Sequence, residues 1–172
     1  MNSLTRAFCL AVAATALLVG CKTGYTWRPS VPGGMRTVSV PTFRNESRLT
    51  ELGTVMATQL LREFQREGTF AIRSVGDSAL EVQGVIKSAS SRPVAYDRRA
   101  ALRQAAYELN AVVEVSVIDK RAGKVLVDNR RYRAQSSYSS DQDISTSERD
   151  ASGRLADDLA RQVVDDVLNM KW

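Results

Sequence analysis

Alternation of apolar and polar residues is clearest in the segment 107–118. One alternating set is mostly apolar and consists of Tyr107, Leu109, Ala111, Val113, Val115 and Val117. A two-residue period places successive side chains on opposite faces of a β-strand. The segment therefore predicts a strand of about a dozen residues, long enough to be the central member of a sheet.

Shorter alternating runs predict further strands on both sides of this one. A first strand contains Val38 and Val40 and ends at Pro41, which removes a backbone donor from a sheet. The other runs are 70–74, 80–87 and 125–134, the last reached through a hairpin connection at 119–124.

Two segments instead repeat their apolar residues at spacings of three and four, which predicts amphipathic helices. The first helix has Leu49, Leu52, Met56, Leu60 and Phe64 on one face, Asn45 or Ser47 as its N-cap, and Gly68 as its stop. The second has Leu155, Leu159, Val163 and Leu168 on one face. Ser145 and Glu148 have the spacing of a capping box at its start.

Two polar segments interrupt the periodic ones. Residues 88–101 are rich in small and charged residues around Pro93 and predict a loop or an irregular edge, and 135–146 predicts a serine-rich linker. The element order is then strand, helix, three or four strands, helix. This order predicts an α+β fold in which both helices rest on one face of the sheet.

The N-terminus carries the features of a lipoprotein signal. Arg6 precedes a short apolar run, 7–19, which is too short to span a bilayer, and Leu18-Val19-Gly20 stands directly before Cys21. We expect cleavage before Cys21 and acylation of its thiol; an ordinary secretory signal is the alternative. Lys22 is not an aspartate retention signal, so the expected location is the periplasmic side of the outer membrane.

The expected domain organisation follows from that cleavage site. Residues 1–20 form the signal peptide, 21–34 a lipid-anchored tether, and 35–172 a single α+β domain. The other cysteine, Cys9, lies in the removed segment, so the mature chain contains no disulfide.

Composition narrows the possible chemistry. The 172 residues contain no histidine, which excludes histidine-based triads and histidine-ligated metals. Asp141, Asp143 and Ser145 resemble the opening of a calcium loop, but Thr146 and Ser152 occupy positions that need glycine and glutamate. The interpretation is a protein without enzymatic activity, metal or cofactor.

Positive charge is concentrated in 86–134, which holds eleven Lys and Arg against five Asp and Glu. In the envelope such a surface favours lipid head groups or lipopolysaccharide over nucleic acid. Two clusters are candidate sites: Arg92, Arg98, Arg99 and Arg103 around Pro93, and Arg121 with Lys124 in the hairpin turn. They should lie at opposite ends of the sheet. The first is preferred for lipopolysaccharide because proline stiffens its loop; ordinary solvated loops are the alternative for both.

Several short motifs, in this order, resemble the lipopolysaccharide-assembly lipoprotein family of the LptE type. They are the segment ending at Cys21, Gly24-Tyr25, the strand 38–43 with Asn45, the helix segment 60–65 ending at Gly68, and the segments 79–84, 91–97, 120–126 and 155–160. The resemblance implies two helices on a mixed four-stranded β-sheet. It also implies a protein that plugs and helps to fold a large outer-membrane β-barrel of the LptD type and assists lipopolysaccharide delivery.

A second function considered is that of a lipoprotein activator of a peptidoglycan synthase. Such activators usually place a long disordered arm between lipid and domain. Here only about 14 residues separate Cys21 from the first strand, which reach at most roughly 50 Å when fully extended. The short tether disfavours this function.

Overall fold

The computed structural model describes residues 31–97, 103–139, 143–170 and 172. Its two helices are α1 (Leu52–Glu67) and α2 (Ile144–Leu168), preceded in the chain by a short 3-10 turn at Gly33–Met35. The strands are β1 (Thr37–Ser39), β2 (Arg44–Asn45), β3 (Ala71–Ile72), β4 (Leu80–Asp97), β5 (Arg103–Asp119) and β6 (Lys124–Ser139). None of the helices in these ranges is both long enough and apolar enough to cross a membrane.

All six strands belong to one mixed sheet in the order β3-β1-β4-β5-β6, with β2 also paired to β4. β1 runs parallel to β3 and β4, β2 runs parallel to β4, and β4, β5 and β6 form an antiparallel meander. The α+β class is confirmed, but the expected four strands are six. β2 has only two residues, too few to display an alternation, whereas β3 lies within the predicted run 70–74.

The meander is longer than the sequence predicts. The expected loop at 88–101 is strand up to Asp97, with the register shifting between Ile86 and Ser88 and twice between Pro93 and Tyr96. The expected linker at 135–146 is strand up to Ser139. The residues at this end of β6 are small and polar, a composition typical of loops. Cross-strand pairs with β5 nevertheless hold them in the sheet.

One such pair shows how the polar part of β6 is stabilised. Tyr138 lies opposite Tyr107, and their rings stack with centroids 5.2 Å apart. The Tyr138 hydroxyl also lies 2.5 Å from the Ser91 hydroxyl of β4. The aromatic pair and the hydrogen bond therefore join all three long strands at one end of the sheet.

The helix ends differ in part from the prediction. Neither Asn45 nor Ser47 caps α1, whose N-cap is Glu51 without a side-chain bond. Asn45 instead accepts the Ser47 amide and donates to the Leu49 carbonyl, which turns the chain out of β2. Gly68 ends α1 in the left-handed conformation, as predicted.

The start of α2 is also set by a residue other than the predicted one. Asp143, not Ser145, is its N-cap and accepts the Thr146 amide. A carboxylate at an N-cap also interacts favourably with the helix dipole.

The core lies between the two helices and one face of the sheet. Val113 and Val115 of β5 are almost fully buried there, as the alternation predicts, and the other odd-numbered positions from Leu109 to Val117 are buried beside them. β5 is an interior strand, although β4 occupies the middle of the order. Tyr132 fixes α2 to β6 by donating its hydroxyl to Asp166, and burial together with this carboxylate raises the pKa of the phenol.

Candidate functional site

The face of the meander that points away from the helices is polar. It is formed by the positions that alternate with the buried ones, in four cross-strand rows. From the far end these rows are Arg92, Glu108 and Ser137; Ser90, Asn110 and Gln135; Ser88, Val112 and Arg133; and Val85, Glu114 and Arg131. We call this surface the helix-free face.

The row at the far end contains Arg92, whose side chain is the one described among the four arginines of the preferred cluster. Arg92 lies in β4 opposite Glu108, and its Nε and one Nη donate to the same carboxylate oxygen at 3.0 and 2.6 Å. Hydrogen bonds from Asn110 and from Arg92 hold the pKa of Glu108 below its ordinary value. The guanidinium remains well exposed, so it has free donors for a second anion.

The structure describes the other three arginines of that cluster only in part. Arg98 and Arg99 lie outside the described residues, and Arg103 is the first residue of β5, paired through its backbone with Asp97. Pro93, expected to stiffen a loop, lies in β4 opposite Tyr107. The predicted role of these four arginines in binding lipopolysaccharide stays a prediction.

Two arginines of β6 were missed by the sequence reasoning. Arg131 pairs with Glu114 across the strands at 2.6 Å. Arg133 is exposed on the same face, two positions further along, and its side chain makes no ion pair within the described part of the chain. The signal was present: Arg131 and Arg133 are two residues apart in a predicted strand and so must share a face.

The alternative cluster lies at the other end of the sheet, as expected. Arg121 is exposed in the turn between β5 and β6, and Lys124 is exposed at the start of β6. The buried Asp119 carboxylate accepts the amides of Arg121 and Ala122, and Gly123 takes a positive φ of 62°. The turn is therefore held in a fixed shape, with its cationic side chains in solvent.

A groove of about 440 Å³ lies on the helix side of the sheet, beside the edge of β4. Pairing of β4 with β2 stops where the Glu46 amide reaches the Ile86 carbonyl, and 46–49 then separates from 87–91. Lys87 bridges the opening by an ion pair with Glu46. Small side chains of β4 line one wall of this groove and Leu49 the other.

These surfaces carry groups that can bind anions. Within residues 31–97, 103–139, 143–170 and 172, no three Asp, Glu, Cys or His side chains are placed to hold a metal ion. The helix-free face offers guanidinium donors, carboxylates and amides in fixed rows. Guanidinium groups of this kind pair with phosphates and carboxylates.

Solved structures similar to this fold come from several bacteria. A protein from Caulobacter crescentus CB15 superposes with a TM-score of 0.51 at 18% identity, covering 78% of this chain and 90% of that one. A minor lipoprotein from Acinetobacter baumannii gives 0.50 at 16% identity, with 78% and 93% covered. The protein CT253 from Chlamydia trachomatis gives 0.51 at 15% identity, with 78% and 96% covered. At these identities the likeness concerns the fold.

Sequence comparison identifies the family of the chain. No curated protein matches this sequence. The family model described as "LptE: Lipopolysaccharide-assembly" matches residues 35–167, which contain all six strands, α1 and all of α2 except its last residue. The chain therefore belongs to the LptE family of lipopolysaccharide-assembly proteins.

Proposed function

We propose that this protein is an outer-membrane lipoprotein that plugs a large β-barrel of the LptD type and assists the delivery of lipopolysaccharide to the cell surface. The match to the family model over residues 35–167 is the observation that carries the proposal. In this role the protein binds and positions its partners and catalyses no reaction.

The dimensions of the fold support a place inside a barrel. β4 has 18 residues, which span about 59 Å at roughly 3.3 Å each. The apolar band of an outer-membrane barrel is about 25 Å tall, so the meander is long enough to cross it. A sheet with a helix layer fills a lumen only in the widest barrels, of which those with about 22 strands are known to hold plugs.

The surface chemistry supports the same place. The interior of such a barrel is polar, and its lining alternates with the lipid-facing residues. The helix-free face, with three arginines and two glutamates in its rows, matches a polar lining rather than lipid. Exposed large apolar side chains in the described chain are few and scattered: Val75, Val94, Val125 and Ile144.

We assign lipopolysaccharide contact to the far end of the meander, through Arg92, Arg98, Arg99 and Arg103, with Arg133 on the helix-free face as an addition. Lipopolysaccharide carries phosphates, which guanidinium groups bind through charge-assisted hydrogen bonds. Arg92 keeps exposed donors beside Glu108, and Arg133 has no ion pair in the described part of the chain.

The anchor in this proposal is an acyl-modified Cys21, with 1–20 removed and the domain beginning after the tether 21–34. Residues up to 30 lie outside the described part of the chain, and Val31 is buried in the core. Cys21→Ser should abolish acylation and leave precursor or mislocalised protein. An unmodified N-terminus on the mature wild-type protein, found by mass spectrometry, would contradict the anchor.

The lipid assignment is tested by reversing the charge of Arg92, Arg98 and Arg99 to glutamate. Binding of purified lipopolysaccharide should weaken, and the loss should be greatest at low salt because exposed charges are screened. Recovery of the barrel in a pull-down should be unchanged. The control reverses three exposed arginines outside the sheet, namely Arg48 in the segment before α1, Arg62 in α1 and Arg149 in α2.

Two results would contradict this assignment. One is unchanged binding after reversal at 92, 98 and 99. The other is a larger loss when Arg121 and Lys124 are reversed instead. Recovery of a peptidoglycan synthase in place of a barrel would support the alternative function.

A further inference from the structure

Four exposed cations lie along one end of the sheet, the end where the described chain begins. They are Arg36 before β1, Arg73 after β3, Arg121 in the β5–β6 turn and Lys124 at the start of β6. None of them makes an ion pair within the described residues. We call these four residues the basic end cluster.

Strand pairing places the cluster across nearly the full width of the sheet. Ala71 donates its amide to Arg36, and Arg73 donates to Val38, which sets β3 and β1 side by side. Leu80 of β4 pairs with both Val38 and Asp119, and Asp119 pairs with Lys124. At about 4.8 Å per strand, the cations are distributed over roughly 19 Å.

The acidic groups at this end are mostly occupied. Glu81 is buried and pairs with Lys120 at 2.9 Å, and Asp119 is buried under the turn amides. Asp77 is exposed and accepts the Ser74 hydroxyl. With Glu81 and Asp119 engaged in this way, the four cations of the basic end cluster have no ion pair within the described residues.

The beginning of the described chain is fixed to the same end. Val31 is buried, and the Met35 amide bonds back to the Pro32 carbonyl. Gly34 lies so close to Arg121 that a β-carbon there would be 2.7 Å from a guanidinium nitrogen. Nine residues, 22–30, separate Cys21 from Val31, so an anchor at Cys21 is at most about 36 Å away along the chain.

We infer that the basic end cluster docks on anionic phospholipid head groups and holds the domain upright on the membrane. This inference rests on the acylation of Cys21 proposed above. The short tether confines this end of the domain near the bilayer, and the unpaired cations complement its phosphates. Each Lys or Arg near an anionic surface raises the docked-to-undocked ratio about fivefold. On a bilayer that contains no barrel, the far end of the meander, with Arg92, is then the part of the domain farthest from the head groups.

The orientation can be measured with two matched labels on the mature, lipidated protein. Val125, at the cluster, and Val94, at the far end, are both 49% exposed. Each is replaced by cysteine and labelled with a fluorescent donor, since the chain has no other free thiol once Cys21 is acylated. The acceptor is on lipid head groups of phosphatidylcholine vesicles, with or without about 30 mol% phosphatidylglycerol.

With phosphatidylglycerol present, energy transfer should be clearly higher at position 125 than at 94, and the difference should fall in roughly 0.5 M salt. Replacing Arg36, Arg73, Arg121 and Lys124 by glutamine should remove the difference, since four fivefold losses leave little docked protein. Replacing Arg44, Arg48, Arg62 and Arg149 by glutamine instead should leave the difference in energy transfer unchanged. Unchanged thermal unfolding shows that each variant is folded.

Equal transfer at the two positions, or a difference that survives loss of the cluster, would overturn the inference while leaving the anchor in place. The mass of the mature protein is determined first. If Cys21 is unmodified, the proposed anchor fails and the inference with it.

Discussion

Single residues decide how closely β4 packs against the segment between β1 and β2. Gly84 of β4 lies under the ring of Phe43, which is buried. A β-carbon at position 84 would be 2.1 Å from a ring carbon of Phe43. The lack of a side chain at this glycine is therefore what lets the aromatic ring close the edge of the core.

We expect Gly84→Ala to destabilise the protein by about 1–3 kcal/mol, because the buried ring has to move. Gly153→Ala is the matched control. Gly153 lies inside α2, where a β-carbon would have nothing within 4 Å, and alanine should stabilise the helix by about 1 kcal/mol. Urea unfolding measures the change in stability of both variants. An equal effect of the two substitutions would contradict this packing.

The carboxyl group of Glu81 makes a pH-dependent contribution to the free energy of unfolding. Burial raises the pKa of its carboxyl, but hydrogen bonds from Gln83 and Lys120 outweigh burial and hold the pKa below its ordinary value. A pKa that is lower in the folded than in the unfolded state stabilises the protein above the unfolded value of about 4.3. The contribution is lost as the pH falls through the folded pKa.

Glu81→Gln should therefore lower stability at about pH 7, and its difference from wild type should shrink towards about pH 3. Unfolding by urea across this range tests it. Glu67→Gln, at an exposed position at the end of α1, is the control. A difference at Glu81 that stays constant with pH would show that its charge is not involved.

Among the elements, β5 shows most directly how alternation becomes structure. Between residues 108 and 117 its odd-numbered residues face the helices and its even-numbered ones form the helix-free face. Val115→Asp would bury a charge without a partner and should cost several kcal/mol, about 3 or more. Val112→Asp, on the helix-free face, should cost much less. Similar unfolding midpoints for the two variants would mean that the strand faces are assigned wrongly.

The elements also differ in how far their sequences predict them. Strand β5 and the periodic parts of both helices were predictable because their apolar residues repeat over many positions. The extension of β4 past Ser88 and of β6 past Gln135 was not, because serine, arginine and proline carry no strand signal there. Pairing with β5 stabilises those residues, and pairing is a long-range property.

The same contrast holds for the candidate site. The separation of the two basic clusters was predicted from the position of one strand, and Arg92 and the 120–124 turn do lie at opposite ends of the sheet. The pairing of Arg92 with Glu108 and the exposed Arg133 could not be assigned until the register of β4, β5 and β6 was known. Register depends on the bulges between Ile86 and Ser88 and between Val115 and Val117.

At the scale of the whole molecule, the protein is a long, polar, two-layer domain in a family of lipopolysaccharide assembly. In the proposed role its two ends differ: the basic end cluster faces the membrane surface, and the far end of the meander reaches into the barrel. A plug inside a lumen is surrounded by its partner. Both the helix layer and the helix-free face should then contact the barrel wall.

Photo-crosslinking in living cells tests this claim most directly. A photoreactive amino acid is placed at Val94 at the far end, Asn110 on the helix-free face, or Thr58 on the outer surface of α1. We expect all three positions to give adducts with one large outer-membrane β-barrel protein, identified by mass spectrometry. Adducts with a peptidoglycan synthase, or the absence of any barrel adduct from a stably expressed protein, would contradict the proposed role as a plug.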